Sequence, residues 1–167
     1  MMHFAEAKKE DIPGIIEVMK DSGYANFVYH GRTDDYIKND ILASDYTYLI
    51  CFEKLSKPRN IVGYFIFSKV DDHLDEARGH ITVDKRYAYH LGIGVHSDYR
   101  KLGLGKKLTL YALKKARQQG FRGMYADVGS NNKGSLRLQE AVGFKRIAQY
   151  PSKKRKMGIN IVFEIQF

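Results

Sequence analysis

The apolar positions follow two spacings that alternate along the chain. Runs rich in β-branched and aromatic residues read as strands: His3 to Ala7, Tyr46 to Phe52, Ile61 to Val70, Arg86 to Val95, Phe121 to Val128, Lys145 to Tyr150 and Ile159 to Gln166. Ile81-Thr82-Val83 reads as a short extension between two of them. Elsewhere the spacing is helical. Asp11-Ile12-Pro13 opens a helix with Ile12, Ile15, Ile16 and Met19 on one side, and Gly23 ends it. An irregular aromatic stretch over 24–33 leads into a second short helix, roughly Asp34 to Ala43. Leu104, Leu108, Tyr111 and Ala112 form one face of a longer helix, widened by Leu110 and Leu113. Gly120 closes it after Lys114, Lys115 and Arg117, whose charges suit its negative end. Ser135 to Val142 is a last helix with Leu138, Ala141 and Val142 facing inward, ended by Gly143 and Phe144. No repeat, low-complexity tract or linker interrupts the series, so residues 1–167 read as a single domain.

The junction at Val95 to Leu108 changes this picture most. An apolar strand passes through a short basic turn bearing Gly103 and Gly105 and becomes a helix. Such a junction aims unpaired backbone N–H groups at one spot, at the positive end of the helix dipole. Gly103 and Gly105 let a ligand approach the backbone, and Arg100, Lys101, Lys106 and Lys107 add charge. The pattern describes a diphosphate cradle. It is not a Walker loop, because Lys107 follows Gly105-Lys106 where that pattern needs Ser or Thr. Nor is Gly92 to Ser97 a dinucleotide fingerprint, since no helix opens there. Gly92 and Gly94 within one strand mark either the approach of something elongated or tight packing.

Composition narrows the setting. Lys plus Arg number 28 against 19 Asp plus Glu, a net charge of +9 that favours anionic partners without choosing among them. The strongest apolar run, Ile61 to Phe67, is far shorter than the ~20 residues that span a bilayer. The first residues carry no apolar secretion segment, and the single cysteine, Cys51, excludes an internal disulfide. The expected location is the cytoplasm. No His, Cys or carboxylate cluster has metal-ligand spacing, so no metal is expected.

Arg100-Lys101-Leu102-Gly103-Leu104-Gly105 fits Arg/Gln-x-x-Gly-x-Gly/Ala, and here the chain resembles the GNAT superfamily of acyl-coenzyme-A-dependent N-acetyltransferases. A second segment strengthens the resemblance. Asn132, Leu138, Gly143 and Phe144 match the family's Asn-x-x-Ala-x-x-Leu-Tyr-x-x-x-Gly-Phe, with Ser135 in the alanine's place. The element order agrees over essentially the full length. The resemblance implies an α/β (α+β) GNAT fold: a central mixed, mostly antiparallel sheet of six to seven strands, flanked by about four helices, with a splayed strand pair. It implies acetyl-CoA as cosubstrate, its diphosphate on Arg100, Lys101, Leu102, Gly103, Leu104, Gly105 and Lys106. The thioester region would lie at Ile93, Gly94 and Val95, and the pantetheine arm at Asn132 and Ser135.

Acetyl transfer to an amine needs proton removal before attack, donors for the carbonyl oxygen, and a proton or stabilising neighbour for the thiolate. The Val95 main-chain amide is the candidate oxyanion donor. His90 stands near the place where many relatives carry a glutamate base, and its ordinary pKa suits the task, although a satisfied strand histidine is the favoured reading there. His80, His96 and Glu76 are weaker candidates. The family's acidic tyrosine falls on Gln139, which cannot supply a proton, so either the thiolate leaves unassisted or Tyr150, Tyr111 or Tyr99 substitutes. Asn132 is either a site residue or a helix cap.

The expected reaction is acetyl transfer to a primary amine by direct attack in a ternary complex. Expected partners are a small-molecule or peptide amine and, in a homodimer, a second copy. A membrane is not expected. A catalytically weak GNAT-shaped binding module is the alternative, and a basic nucleic-acid-binding domain is less favoured because no recognition helix or stacking platform is legible. The acceptor itself is not legible. The segment from Tyr24 to Ala43 and the basic tip Lys153 to Lys156 would decide it.

Overall fold

The computed structural model describes residues 1–23, 38–39, 45–55, 58–71, 73–153 and 158–167. The strands are β1 (His3–Glu6), β2 (Tyr46–Phe52), β3 (Ile61–Lys69), β4 (Ala88–Val95), β5 (Gly123–Gly129), β6 (Lys145–Pro151) and β7 (Ile159–Gln166). The helices described are α1 (Ile12–Asp21), α2 (Leu104–Gln118) and α3 (Lys133–Ala141). One seven-stranded sheet runs in the order β1-β2-β3-β4-β5-β7-β6. The β1–β2, β5–β7 and β6–β7 ladders are antiparallel, and β4–β5 is parallel. This is the mixed sheet of the expected fold class. Of the helix expected over 34–43, only residues 38–39 are described; the aromatic stretch 24–33 and residues 154–156 of the basic tip lie outside the described residues.

Chain contacts group the residues into two compact units, Met1–Phe67 with Leu91–Ala112, and Ser68–His90 with Leu113–Phe167. In the first, Pro13 occupies the opening turn of α1, where a missing N–H costs nothing. Ile12, Ile15, Ile16, Val18 and Met19 are buried against Tyr48, Ile50 and Phe52 of β2 and Ile61, Tyr64 and Ile66 of β3. Gly23 ends the helix region at φ 77°. Along α2, Leu104, Leu108 and Ala112 are buried as the spacing predicts, but Leu110 is 47% exposed and does not widen that face. Thr109 is buried in its stead, its hydroxyl donating to the Gly105 carbonyl at 2.8 Å, one turn back.

The second unit packs Val70, Leu74, Ala77, Tyr87, Tyr125, Tyr150 and Val162 together. Ile81 to Val83 is not a strand. The Ile81 amide turns back to the Ala77 carbonyl at 2.9 Å, and Ile81 and Val83 pack on this cluster as a cover. In α3 the residues buried are Leu136 and Gln139, not Leu138, Ala141 and Val142. A polar residue takes the inward position because it has a partner there, which hydropathy cannot foresee. The β6–β7 register slips between Arg146 and Ala148, a one-residue bulge that leaves Ile147 exposed.

Candidate functional site

The turn after β4 is built from the backbone outward. Past Val95 the His96 amide still donates to the Val62 carbonyl of β3 at 2.9 Å. A 3-10 turn, Ser97–Tyr99, then swings the chain towards α2. Lys101 and Gly103 adopt left-handed φ values of 64° and 72°. A side chain at Gly103 would meet nothing within 4 Å, so the backbone there is uncovered and its conformation, rather than crowding, calls for glycine. The Gly103 carbonyl accepts the Lys107 amide at 3.1 Å, which starts α2, and the opening amides of that helix have no acceptor within it. Lys101, Leu102 and Lys106 are exposed, Leu102 by 57%. Leu104 is buried and pins the helix. Exposed amides at a dipole's positive end, ringed by ammonium groups, fit a diphosphate.

Side chains remote in sequence hold the turn. Asp21, at the end of α1, accepts the Ser97 amide at 2.7 Å and the Ser97 hydroxyl at 2.8 Å. These bonds, then the nearby His96 and Arg100, keep its carboxyl below the usual 3.8. Arg100 Nη2 lies 3.6 Å from Asp21, and its Nε donates to the Val95 carbonyl at 3.1 Å. Arg100 therefore braces the turn as well as charging it. Tyr99 donates to Glu53 at 2.7 Å, which pushes the phenol up and draws the carboxyl down. Asp21 and Glu53 were missed by the sequence reading, because no local pattern joins α1 or the β2–β3 connection to this turn.

Gly94 has a different reason for being glycine. A Cβ there would sit 2.4 Å from Cε1 of Tyr64 and 2.9 Å from the Ser22 hydroxyl, so packing accounts for this glycine. Ile93 and Val95 flank it, half-buried, at the end of β4. The β4–β5 ladder pairs Ala88 with Met124 and Tyr89 with Tyr125.

The remaining candidates lie in the second unit. Asn132 caps α3, its side-chain oxygen accepting the Ser135 amide at 3.1 Å. His90 is 8% exposed, with Nδ1 3.2 Å from Nε2 of Gln139, itself 1% exposed. The residue standing at the family's tyrosine position thus touches the histidine proposed as base. Tyr150 is buried; its hydroxyl takes a hydrogen bond from Asn160 at 3.0 Å and its ring stacks on His80 at 4.6 Å. Glu76 accepts the Ser152 hydroxyl at 2.8 Å and the Lys153 amide at 2.6 Å. His96 lies 3.9 Å from Asp21 and 3.8 Å from Asp98. Tyr111 packs against Phe4, ring centroids 5.8 Å apart. Among the described residues, no group of three or more His, Cys, Asp or Glu could hold a metal ion, and no helix is long and apolar enough to cross a membrane.

Comparison with known proteins follows this geometry. The family model described as "Acetyltransferase (GNAT) family" matches residues 15–144. L-amino acid N-acyltransferase MnaT of Escherichia coli (strain K12) is 36% identical over 73 residues, 44% of this chain and 42% of that protein. The chain spans about half the length of the curated relatives it matches, 42%, 43% and 51%. Among solved structures, yncA of Salmonella typhimurium with its cofactor acetyl-CoA superposes with TM-score 0.70 at 23% identity, over 99% of this chain and 93% of that one. Arabidopsis thaliana NAA60 in complex with acetyl-CoA gives TM-score 0.72 at 16% identity, over 100% and 99%. At such identities the likeness establishes the fold.

Proposed function

Because this chain belongs to the GNAT acetyltransferase family, we propose that it binds acetyl-CoA and transfers the acetyl group to a primary amine by direct attack in a ternary complex. The observation that carries this reading is the uncovered left-handed turn at Gly103, opening into α2 among exposed cations. In it the main chain from Arg100 to Lys106 grips the diphosphate, with Lys101 and Lys106 supplying charge. Ile93, Gly94 and Val95 carry the thioester region, the Val95 amide serving the developing oxyanion, and Asn132 and Ser135 support the pantetheine arm. When bound, acetyl-CoA supplies the activated acyl group. Holding both reactants together can itself remove several kcal/mol of barrier.

The acceptor class is drawn from the name of the Escherichia coli relative, which speaks of an L-amino acid. We place the protein in the cytoplasm, as one domain over 1–167, with a small-molecule or peptide amine as partner. His90 is the base that the family resemblance suggests, and Tyr150, beside Tyr111 and Tyr99, a candidate substitute for the family's acid.

Isothermal titration tests the first step. Micromolar acetyl-CoA binding is expected, and no binding at millimolar ligand would defeat the reading. Free-thiol release with the twenty L-amino acids, spermidine and a peptide with a free N-terminus tests the second. A binding module without catalysis is the second reading, favoured by Gln139 in the tyrosine's place and buried on His90; binding without thiol release on that panel would select it.

A further inference from the structure

Resting on the acetyl-transfer reading, a contact inside the second unit bears on which group takes the acceptor's proton. His90 of β4 and Gln139 of α3 are both buried, and Nε2 of Gln139 lies 3.2 Å from Nδ1 of His90. The helix aims that amide. Leu136 and Gln139, three positions apart, form its buried face. Its first turn is held by the Asn132 side chain, which accepts the Ser135 amide, and its last by the Phe144 amide, which donates to the Gln139 carbonyl at 3.0 Å. On the strand, Ala88 and His90 are buried while Tyr89 between them is half-buried, so the His90 ring lies on the covered side of β4.

Stability alone does not account for a glutamine there. Burying an amide and fixing its rotamers is costly, and one neutral hydrogen bond offsets little of that. Among the described residues, Oε1 of Gln139 has no hydrogen-bond partner, so the amide is only half used. Another polar group of the unit is built differently. There Tyr89 and Asn160 both donate to the Asp127 carboxylate, and Asn160 donates also to the Tyr150 hydroxyl at 3.0 Å. The His90 contact holds an amide nitrogen instead, which can only donate. A proton on Nδ1 would set two donors face to face. Nδ1 therefore presents its lone pair, and the uncharged ring carries its one proton on Nε2.

We propose that Gln139 is a positioning residue that holds His90 as the uncharged tautomer with its proton on Nε2, and so withdraws this histidine from the role of base. Nε2 already carries a proton and Nδ1 is engaged by the amide, so neither nitrogen takes the acceptor's proton. The acceptor's ammonium group gives that proton to bulk water before attack. The freed lone pair forms the C–N bond to the thioester carbonyl carbon, and the C–S bond breaks. The proton shed by the nitrogen as the amide forms goes to the departing thiolate.

Nitrogen magnetic resonance of the histidine rings reads the tautomer without any turnover. In the full chain, with its histidines isotope-labelled and at neutral pH, the His90 signals are assigned by their absence from His90→Asn. They should show a protonated Nε2 and an unprotonated Nδ1, and a protonated Nδ1 overturns the proposal. Gln139→Glu puts an acceptor in the amide's place and should move the proton to Nδ1; signals that stay like the parent's take the role away from Gln139. Should that variant fail to fold, Gln139→Met, which offers Nδ1 no donor, decides: signals of both tautomers support the proposal, and the parent's pattern refutes it. Kinetics read the consequence. For the best acceptor of the panel above, kcat/KM should rise about ten-fold per pH unit up to the pKa of the free amine, and a plateau reached at lower pH overturns the proton's route to water. A parent protein that neither binds acetyl-CoA nor releases thiol defeats the acetyltransferase reading, and the ring signals alone then judge the tautomer.

Discussion

The turn at Arg100 to Lys106 and the polar group around Asp127 are built on opposite principles. The turn is shaped by its main chain, with a glycine at φ 72° just before the first amides of α2. The Asp127 group is assembled from side chains delivered by β4, β5, β6 and β7, separated by up to 71 positions between Tyr89 and Asn160. A backbone turn is written within seven consecutive residues. A side-chain site is written in strand register and becomes visible only when the sheet has formed. The contrast predicts different responses to substitution.

The largest response should come from Gly103→Asp. Aspartate tolerates the left-handed region better than most residues, so the fold survives while a negative charge enters the anion cradle. Acetyl-CoA affinity should drop by roughly a hundred-fold or more in calorimetry, on the order of 2.7 kcal/mol. An affinity unchanged by this variant would remove the turn from the reading. Gly94→Ala should instead strike stability. Its Cβ would lie 2.4 Å from the Tyr64 ring, an overpacking worth about 1–3 kcal/mol that should lower the denaturant midpoint. Asn132→Ala separates two roles at one residue. Loss of the α3 cap alone costs about 1 kcal/mol in stability. A further rise in KM for acetyl-CoA would add contact with the pantetheine arm, whereas an unchanged KM would leave it a cap.

Asp21→Ala gives the smallest effect and the sharpest challenge to the idea of a self-contained turn. Removing the carboxylate frees Ser97 and Arg100 together, and acetyl-CoA affinity should weaken several-fold with kcat little changed. The pH response has a definite sign. Asp21 titrates below its ordinary 3.8 in the folded chain, so its anchoring is complete above that value and is lost as pH falls through the depressed one. An acid titration of acetyl-CoA affinity in Asp21→Asn beside the parent checks this.

The residues that could be read in advance share one property, that their signal is local. Tyr46 to Phe52 and Ile159 to Gln166 match their strands residue for residue, because a turn residue, Asp45 or Gly158, opens each β-rich run. Gly120 and Gly143 end their helices at φ 91° and 99° as helix-stop glycines should. The losses have the converse cause. The burial of Gln139 is not legible in the sequence because polar residues are normally exposed, and the His90 ring beside it is 49 positions away. Ile81 to Val83 has strand composition, but the 3-10 turn over Glu76–Gly79 feeds it onto the core and not into a ladder. Leu110 has the hydropathy of the buried face without its angle. Asp127 carries no local signal, since the hydrogen-bond partners Tyr89 and Asn160 lie far from it along the chain.

Cys51 offers a use that its burial alone would not suggest. It lies fully buried in the middle of β2, where desolvation pushes the thiol up to about 11. An alkylating reagent can therefore reach a reactive sulfur only when that strand opens, so the labelling rate becomes a clock for local opening that needs no engineered probe. The same burial makes the thiol an alkaline fault line. Between 9.0 and about 11 the unfolded chain sheds this proton and the native chain keeps it, so stability drains away as pH rises. Replacing Cys51 with alanine should stop the clock and flatten that slope.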